Sequence, residues 1–391
     1  GLIAAAIPML FMAFPASAQD SSIYVQCPDT DGDLEPGPEA PGIRCIHLSG
    51  GDGMVTMANT DNKQLYIFSF AEIPLPGEDY ELPDGTIDTA PGAGEDYAGF
   101  AMDYGMLAAE APATTISVDE DDELFLTLTN VGMAMRPDLF DPHTVHWHGF
   151  PQASAVFDGV PDASISINMG ASLTYYYKAM DAGTYMYHCH VEATEHMLMG
   201  MLGNLYVRPR QNRLPAQTFP PSQKFPAGFE HTPWDEATET GNRYAYNDGD
   251  GTTAYDVEYP IQLGSFDPVF HDASLEVQPL PFRDMRDTYF LLNGRGYPDT
   301  INTAVIETPD PMTGELRPSQ PMHSLIEATA GQKILLRISN LNVTQFNTIG
   351  TNGPPMEVVA LDARLLRADD GTDMYYKTNS LTLGGGQSAD V

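Results

Sequence analysis

The chain has 391 residues; 54 are Asp or Glu and 18 are Lys or Arg, a formal charge of −36. Such a field repels phosphate backbones and anionic membranes, which excludes nucleic acid as a partner class. Frequent Gly and Pro, with short runs of Val, Thr, Tyr and Phe, predict an all-β protein large enough for more than one core.

Residues 2–15 are almost all apolar and run into Ala16-Ser17-Ala18. This predicts a signal peptide over 1–18 that lacks its basic n-region and is too short to span a membrane. The mature protein is therefore expected to be secreted or periplasmic, and no later stretch is apolar enough for a membrane span. Residues 19–60 read as an acidic, loop-rich N-terminal extension. Within it Asp29, Asp31 and Asp33 alternate around Gly32, like half of a calcium loop, but the Glu of an EF-hand is missing. An acidic turn is the simpler reading. Cys27 and Cys45 flank that turn, and in an oxidising compartment they would form a local disulfide. Cys189 is then left alone, as a liability or as a ligand.

A repeat follows. Ile116, Leu124, Leu126, Leu128 and Asn130 are echoed by Ile326, Ile334, Leu336, Ile338 and Asn340, and Gly170 and Ser172 by Gly386 and Ser388. Both segments alternate as strands do. The pattern predicts two copies of one β-domain, 61–209 and 255–391, joined by a Pro-rich linker or excursion over 210–254. In the first copy a histidine-rich strand follows Ser172. Only Ala389, Asp390 and Val391 follow Ser388, so the second copy is expected to be C-terminally incomplete.

Two stretches of the first copy hold most of the histidines. DPHTVHWHGF carries His143, His146 and His148; TYMYHCHVEATEHMLMGM carries His188, Cys189, His190, His196 and Met201. On a strand, His146 and His148 share one face and Trp147 points away. His188 and His190 share a face likewise, and Cys189 points to the other side. If the strands are neighbours, four imidazoles converge and Cys189 faces a second centre. His143 is free to leave the first face, and His196 and Met201 lie in a loop that can fold back toward Cys189. One thiolate, two imidazoles and a thioether form the donor set of a type 1 copper site. Zinc is the alternative metal, but the thioether argues against it. A nucleophilic cysteine would need one oriented base instead. His47, His231, His271 and His323 are isolated and read as ordinary polar residues. Met197 and Met199 read as core.

HWHG followed by HCH, a further His and a Met resembles the multicopper oxidase family. DGVP at Asp158–Pro161 and LNGRGYP ending at Pro298 add to the likeness. The resemblance implies two cupredoxin-like Greek-key β-sandwich domains. It implies type 1 copper held by His143, Cys189, His196 and Met201, and half of a type 2/type 3 trinuclear copper cluster held by His146, His148, His188 and His190. It implies a proton-moving carboxylate at Asp158, although Asp-Gly is also a plain turn dipeptide. The implied reaction is one-electron oxidation of a small-molecule or metal-ion donor, or of an electron-carrier protein, coupled to reduction of O2 to water. The cysteine stands in the first domain, which resembles the smaller two-domain members, whose subunits often form a homo-trimer. The gap from Cys189 to His196 is longer than usual, and VTQFNTIGTNGPPM, the counterpart of HTVHWHG, has no histidine. Two alternatives follow. A type 1 electron-transfer protein with an incomplete cluster would leave four imidazoles unused. A copper nitrite reductase would leave the second histidine of HCH without a task.

Overall fold

In a computed structural model the described residues are 23, 25–28, 42–59, 61–82, 85–92 and 95–391. The segment 1–18 and the Asp29, Asp31 and Asp33 turn lie outside them. Among the described residues no helix is long and apolar enough to cross a membrane.

The first half begins with strands β1 (Ile43–Thr56) and β2 (Gln64–Glu72), a small hairpin of β3 (Asp79–Glu81) and β4 (Ile87–Thr89), and helix α1 (Tyr97–Gly105). It continues with β5 (Ala113–Asp119), β6 (Glu123–Gly132), β7 (His146–His148), β8 (Ser172–Lys178), β9 (Gly183–His188), α2 (Ala193–Met199) and β10 (Leu202–Arg208). Two four-stranded sheets result, ordered β2-β1-β6-β8 and β5-β10-β9-β7. Phe68, Phe70, Leu126, Trp147, Tyr175 and Tyr187 fill the space between them. Burying those large side chains is the main force that closes the sandwich.

β1 differs from the sequence reading, which set 19–60 aside as a loop-rich extension. Its LSGGDG stretch reads as a turn, yet it pairs with β2 on one side and β6 on the other. Packing explains the glycines. A Cβ on Gly51 would sit 2.7 Å from Val131 Cγ2 and 2.9 Å from the Gly132 carbonyl oxygen. The strand tolerates that approach only without a side chain. The Cys27–Cys45 disulfide, with Cα atoms 5.9 Å apart, ties the preceding segment to β1. Cys189 is free and buried.

Over 210–254 the chain forms two short antiparallel pairs, β11 (Gln217–Phe219) with β12 (Phe229–His231), and β13 (Arg243–Tyr244) with β14 (Ala254–Tyr255). The second half then contains β15 (Val257–Phe266), α3 (Pro268–Leu275), β16 (Tyr289–Leu292), the hairpin β17 (Ile306–Pro309) and β18 (Leu316–Gln320), and β19 (Ile334–Asn340). It ends with β20 (Asn347–Gly350), β21 (Met356–Val358), β22 (Ala360–Leu361), β23 (Arg364–Leu365), β24 (Tyr376–Thr378), β25 (Ser380–Leu383) and β26 (Gln387–Asp390). One sheet orders β16-β15-β19-β26-β22-β23; β20–β25 and β21–β24 form separate pairs.

The repeated residues occupy matching rungs. β1 lies parallel to β6 as β15 does to β19. Thr129 faces Ser172 across one ladder, and Ser339 faces Ser388 across the other. Asn130 Oδ1 accepts from the Gly132 amide and Asn340 Oδ1 from the Asn342 amide, so each asparagine makes the same turn at its strand end. Ile326 breaks the parallel: Ile116 lies in β5, but Ile326 lies in no strand.

A buried ionic group joins the halves. Arg337 Nε donates to Glu258 at 2.7 Å and its Nη1 to Asp390 at 3.3 Å. Thr184 of β9 and Tyr246 also donate to Asp390, and the Tyr206 ring of β10 lies 4.9 Å from the guanidinium. The strand that leads to the histidines is thus bolted to the second half.

Candidate metal centres

The first centre is built by three segments. His143 exchanges two main-chain hydrogen bonds with Ile167, 3.0 and 2.9 Å long. Cys189 follows the end of β9. His196 sits in α2, a short helix where the sequence suggested only a loop. Gly200 ends α2 at φ +117°, a conformation open to glycine. The chain then reverses, so that the Met201 amide donates to the His196 carbonyl at 2.9 Å and the Met201 carbonyl accepts from the Cys189 amide at 3.2 Å. Met201 is buried in the same core as Cys189. Cys189 Sγ lies 4.0 Å from His143 Nδ1 and 3.2 Å from His196 Nδ1. All three side chains are fully buried.

Burial alone would push the Cys189 thiol up, but His143 and His196 outweigh it and hold it well below the thiol range. Burial opposes charge on His196 as well, yet Asp141 and Cys189 push its imidazole up to about 10. A thiolate in this dry site therefore demands a positive charge between it and the two imidazoles. In the protein alone a proton on His196 supplies it. A soft metal cation held by one sulfur and two Nδ1 atoms would meet the same demand.

The second centre lies on the opposite face of the same strands. β7 and β9 pair with His146 directly across from His188, and Trp147 across from Tyr187 points into the core. The His146 ring lies 5.2 Å from that of His188, 5.1 Å from that of His190 and 5.8 Å from that of His148. His146, His148 and His188 offer donor atoms that all lie within 4.8 Å of one another; His190 joins the ring cluster but not that group. Burial lowers His146 and His148 and takes His188 down to about 3. These imidazoles are neutral at pH 7, the form that binds metals. The His188 Nδ1–H donates to the Cys189 carbonyl at 2.8 Å, so the two centres share main chain as well as sequence. A cleft of about 490 Å³ opens in front of the four rings, walled on its far side by Asn342–Phe346, Gly385 and Gly386 of the second half.

Asp158 meets the site through its backbone. Its carbonyl accepts from His146 Nδ1 at 2.6 Å, while its carboxylate lies 3.6 Å from the same nitrogen. Gly159 makes this possible, and sequence reasoning passed it over as half of a turn dipeptide. It holds φ +77°, and a Cβ there would sit 2.1 Å from the Val145 carbonyl oxygen. Gly159→Ala is therefore expected to cost about 2–4 kcal/mol of stability and to weaken metal binding at the four-ring face. Thermal unfolding and a metal titration check this; unchanged values for both would refute the role.

The isolated histidines are partnered elsewhere. His47 bonds Tyr97 and Thr129, His231 bonds Tyr244 and the Leu214 carbonyl, His271 bonds the Tyr66 carbonyl, and His323 bonds Tyr259.

Residues 103–212 match the family model described as multicopper oxidase. Multicopper oxidase MCE of Talaromyces pinophilus is 36% identical over 129 residues, which covers 32% of this chain and 19% of that protein. Laccase-1 of Emericella nidulans is 34% identical over 107 residues, covering 27% and 16%. The matched stretch thus spans less than a fifth of either relative. The solved structure of a blue copper oxidase from Nitrosomonas europaea superposes with a TM-score of 0.53 at 21% identity, over 89% of this chain and 74% of that one. At that identity the likeness carries the fold, a cupredoxin-like β-sandwich arrangement.

Proposed function

We propose that this chain, whose residues 103–212 match the multicopper oxidase family model, is a laccase-like oxidase. It takes single electrons from a small-molecule or metal-ion donor and delivers them to O2, which is reduced to water. The observation that carries this reading is the fully buried Cys189 sulfur facing two Nδ1 atoms, back to back with a cluster of four imidazole rings.

The donor set fits copper. Cys189, His143 and His196, with the Met201 thioether as a further weak donor, would hold a type 1 ion. His146, His148, His188 and His190 would hold the cleft-side ions of a trinuclear cluster. Copper, when bound, supplies one-electron redox chemistry at both centres. The chain's own contribution is to exclude water from Cys189, to disfavour protonation of His146, His148 and His188 by burial and to join the centres through the His188–Cys189 contact. The Asp158 carboxylate, 3.6 Å from His146 Nδ1, would move protons at that face. The remaining cluster imidazoles come from a further segment or from a neighbouring subunit, in keeping with a homo-trimer. An exported enzyme, secreted or periplasmic, suits the Cys27–Cys45 disulfide. An electron carrier or a nitrite reductase would leave histidines of the four-ring face without a task.

Copper-loaded protein is expected to bind more than one copper per chain, to show an intense blue band and to consume O2 with a phenolic or metal-ion donor. A single blue copper without O2 uptake would sink the oxidase reading.

A further inference from the structure

The stretch DPHTVHWHG opens on a residue outside both sets of metal donors. Asp141 stands two positions before His143, across Pro142, whose ring fixes its own φ. The Asp141 carbonyl accepts from Asn130 Nδ2 at 2.9 Å, and the same amide donates to the Ile167 carbonyl at 2.9 Å. Ile167 is also the residue that exchanges main-chain hydrogen bonds with His143. One tethered loop therefore carries both the His143 donor and the Asp141 carboxylate.

That carboxylate faces the other imidazole of the centre. Asp141 Oδ2 lies 3.9 Å from His196 Nε2, on the side of the ring away from Cys189. His196 Nε2 is buried and makes no hydrogen bond, the Asp141 oxygen standing just outside bonding distance. The Asp141 side chain is only one-fifth exposed. A buried N–H without an acceptor is costly, and this aspartate is the acceptor at hand. A ligating imidazole is oriented by whatever binds its other nitrogen.

We infer that Asp141 is a positioning residue of the first centre: closing the remaining gap when a metal binds, it would take the Nε2–H of His196 and so turn the Nδ1 lone pair toward the metal beside Cys189. The inference rests on the copper reading above. The loop that supplies one imidazole thus also sets the tautomer of the other, which couples the two ligands through a single tether at Asn130.

The test uses copper alone as the probe, in competition with a chelator, on the full chain. Asp141→Ala is expected to weaken Cu(II) binding at the blue site by about 10–100-fold and to change its optical and paramagnetic spectra. Asp141→Asn keeps an oxygen acceptor without the charge. It should recover most of the affinity while the reduction potential of the blue site rises. Wild-type affinity, spectra and potential in Asp141→Ala would overturn the inference. Should Asp141→Ala fail to fold, an unchanged potential in Asp141→Asn overturns it equally. Wild-type protein that never turns blue with copper would instead defeat the copper reading itself, so the two failures are distinct.

Discussion

Cys189→Ser will abolish the intense visible absorption of the copper-loaded protein and reduce donor oxidation to background. The sulfur lies 3.2 Å from His196 Nδ1 and 4.0 Å from His143 Nδ1, in a site closed to water. A serine hydroxyl is shorter, harder and neutral at pH 7, so it supplies neither the soft donor nor the charge. Loss of an outer partner of a metal site costs about 10–100-fold in affinity, and loss of a direct ligand should exceed that. The four-ring face is built from β7 and β9 and does not need the thiol. Copper bound there should survive and be detected by paramagnetic resonance. A mutant that remains blue would mean the ligand set is wrong. A mutant that has lost its fold by circular dichroism would move the test to Met201→Leu, expected to stay blue with a raised potential.

Arg337→Ala is the second large effect, and it falls on stability. Arg337 is fully buried against Glu258 and Asp390, which are themselves buried. Removing the guanidinium leaves Asp390 without a cation in a dry interior and Glu258 with Arg208 alone, and breaking a buried pair in this way costs about 3–5 kcal/mol. Arg364, exposed and 3.9 Å from Asp181, serves as comparator; its loss should cost about 0–1 kcal/mol. Burial resists the charge on Glu258, but Arg337 and Arg208 overcome it and hold the carboxyl down to about 2. Its contribution is therefore complete above the ordinary carboxylate value and is lost as pH falls toward 2. Asp390 runs the other way: burial raises it despite Arg337, Thr184 and Tyr246. Denaturant unfolding of both mutants at pH 7 and pH 3 tests this. The Arg337→Ala deficit should shrink at the lower pH; equal stability of the two mutants at pH 7 would refute the network's role.

Much of the site is legible in the chain because strand alternation is a local rule. Alternation along HWH and HCH predicts that Trp147 and Cys189 point away from the histidines on either side of them, and the structure keeps that arrangement although β9 itself ends at His188. The Asn130 and Asn340 turns are legible for the same reason, since an asparagine at a strand end bonds an amide two residues on. The glycines of β1 mislead for a matching reason: their use lies in Val131 and Ala109, far along the chain, and nothing nearby announces it.

Spacing along the chain was enough to suggest which histidines share a face, that Cys189 looks the other way and that Asn130 and Asn340 stand at equivalent strand ends, all of which depend on a few neighbouring residues. Only the tertiary structure decided that Asp158 holds His146 by its carbonyl, that Asp141 stands behind His196, and that Arg337 ties β9 to the second half. Those contacts join residues that spacing does not relate. They exist because buried N–H groups and charges must find partners, and the fold alone determines which partners are within reach.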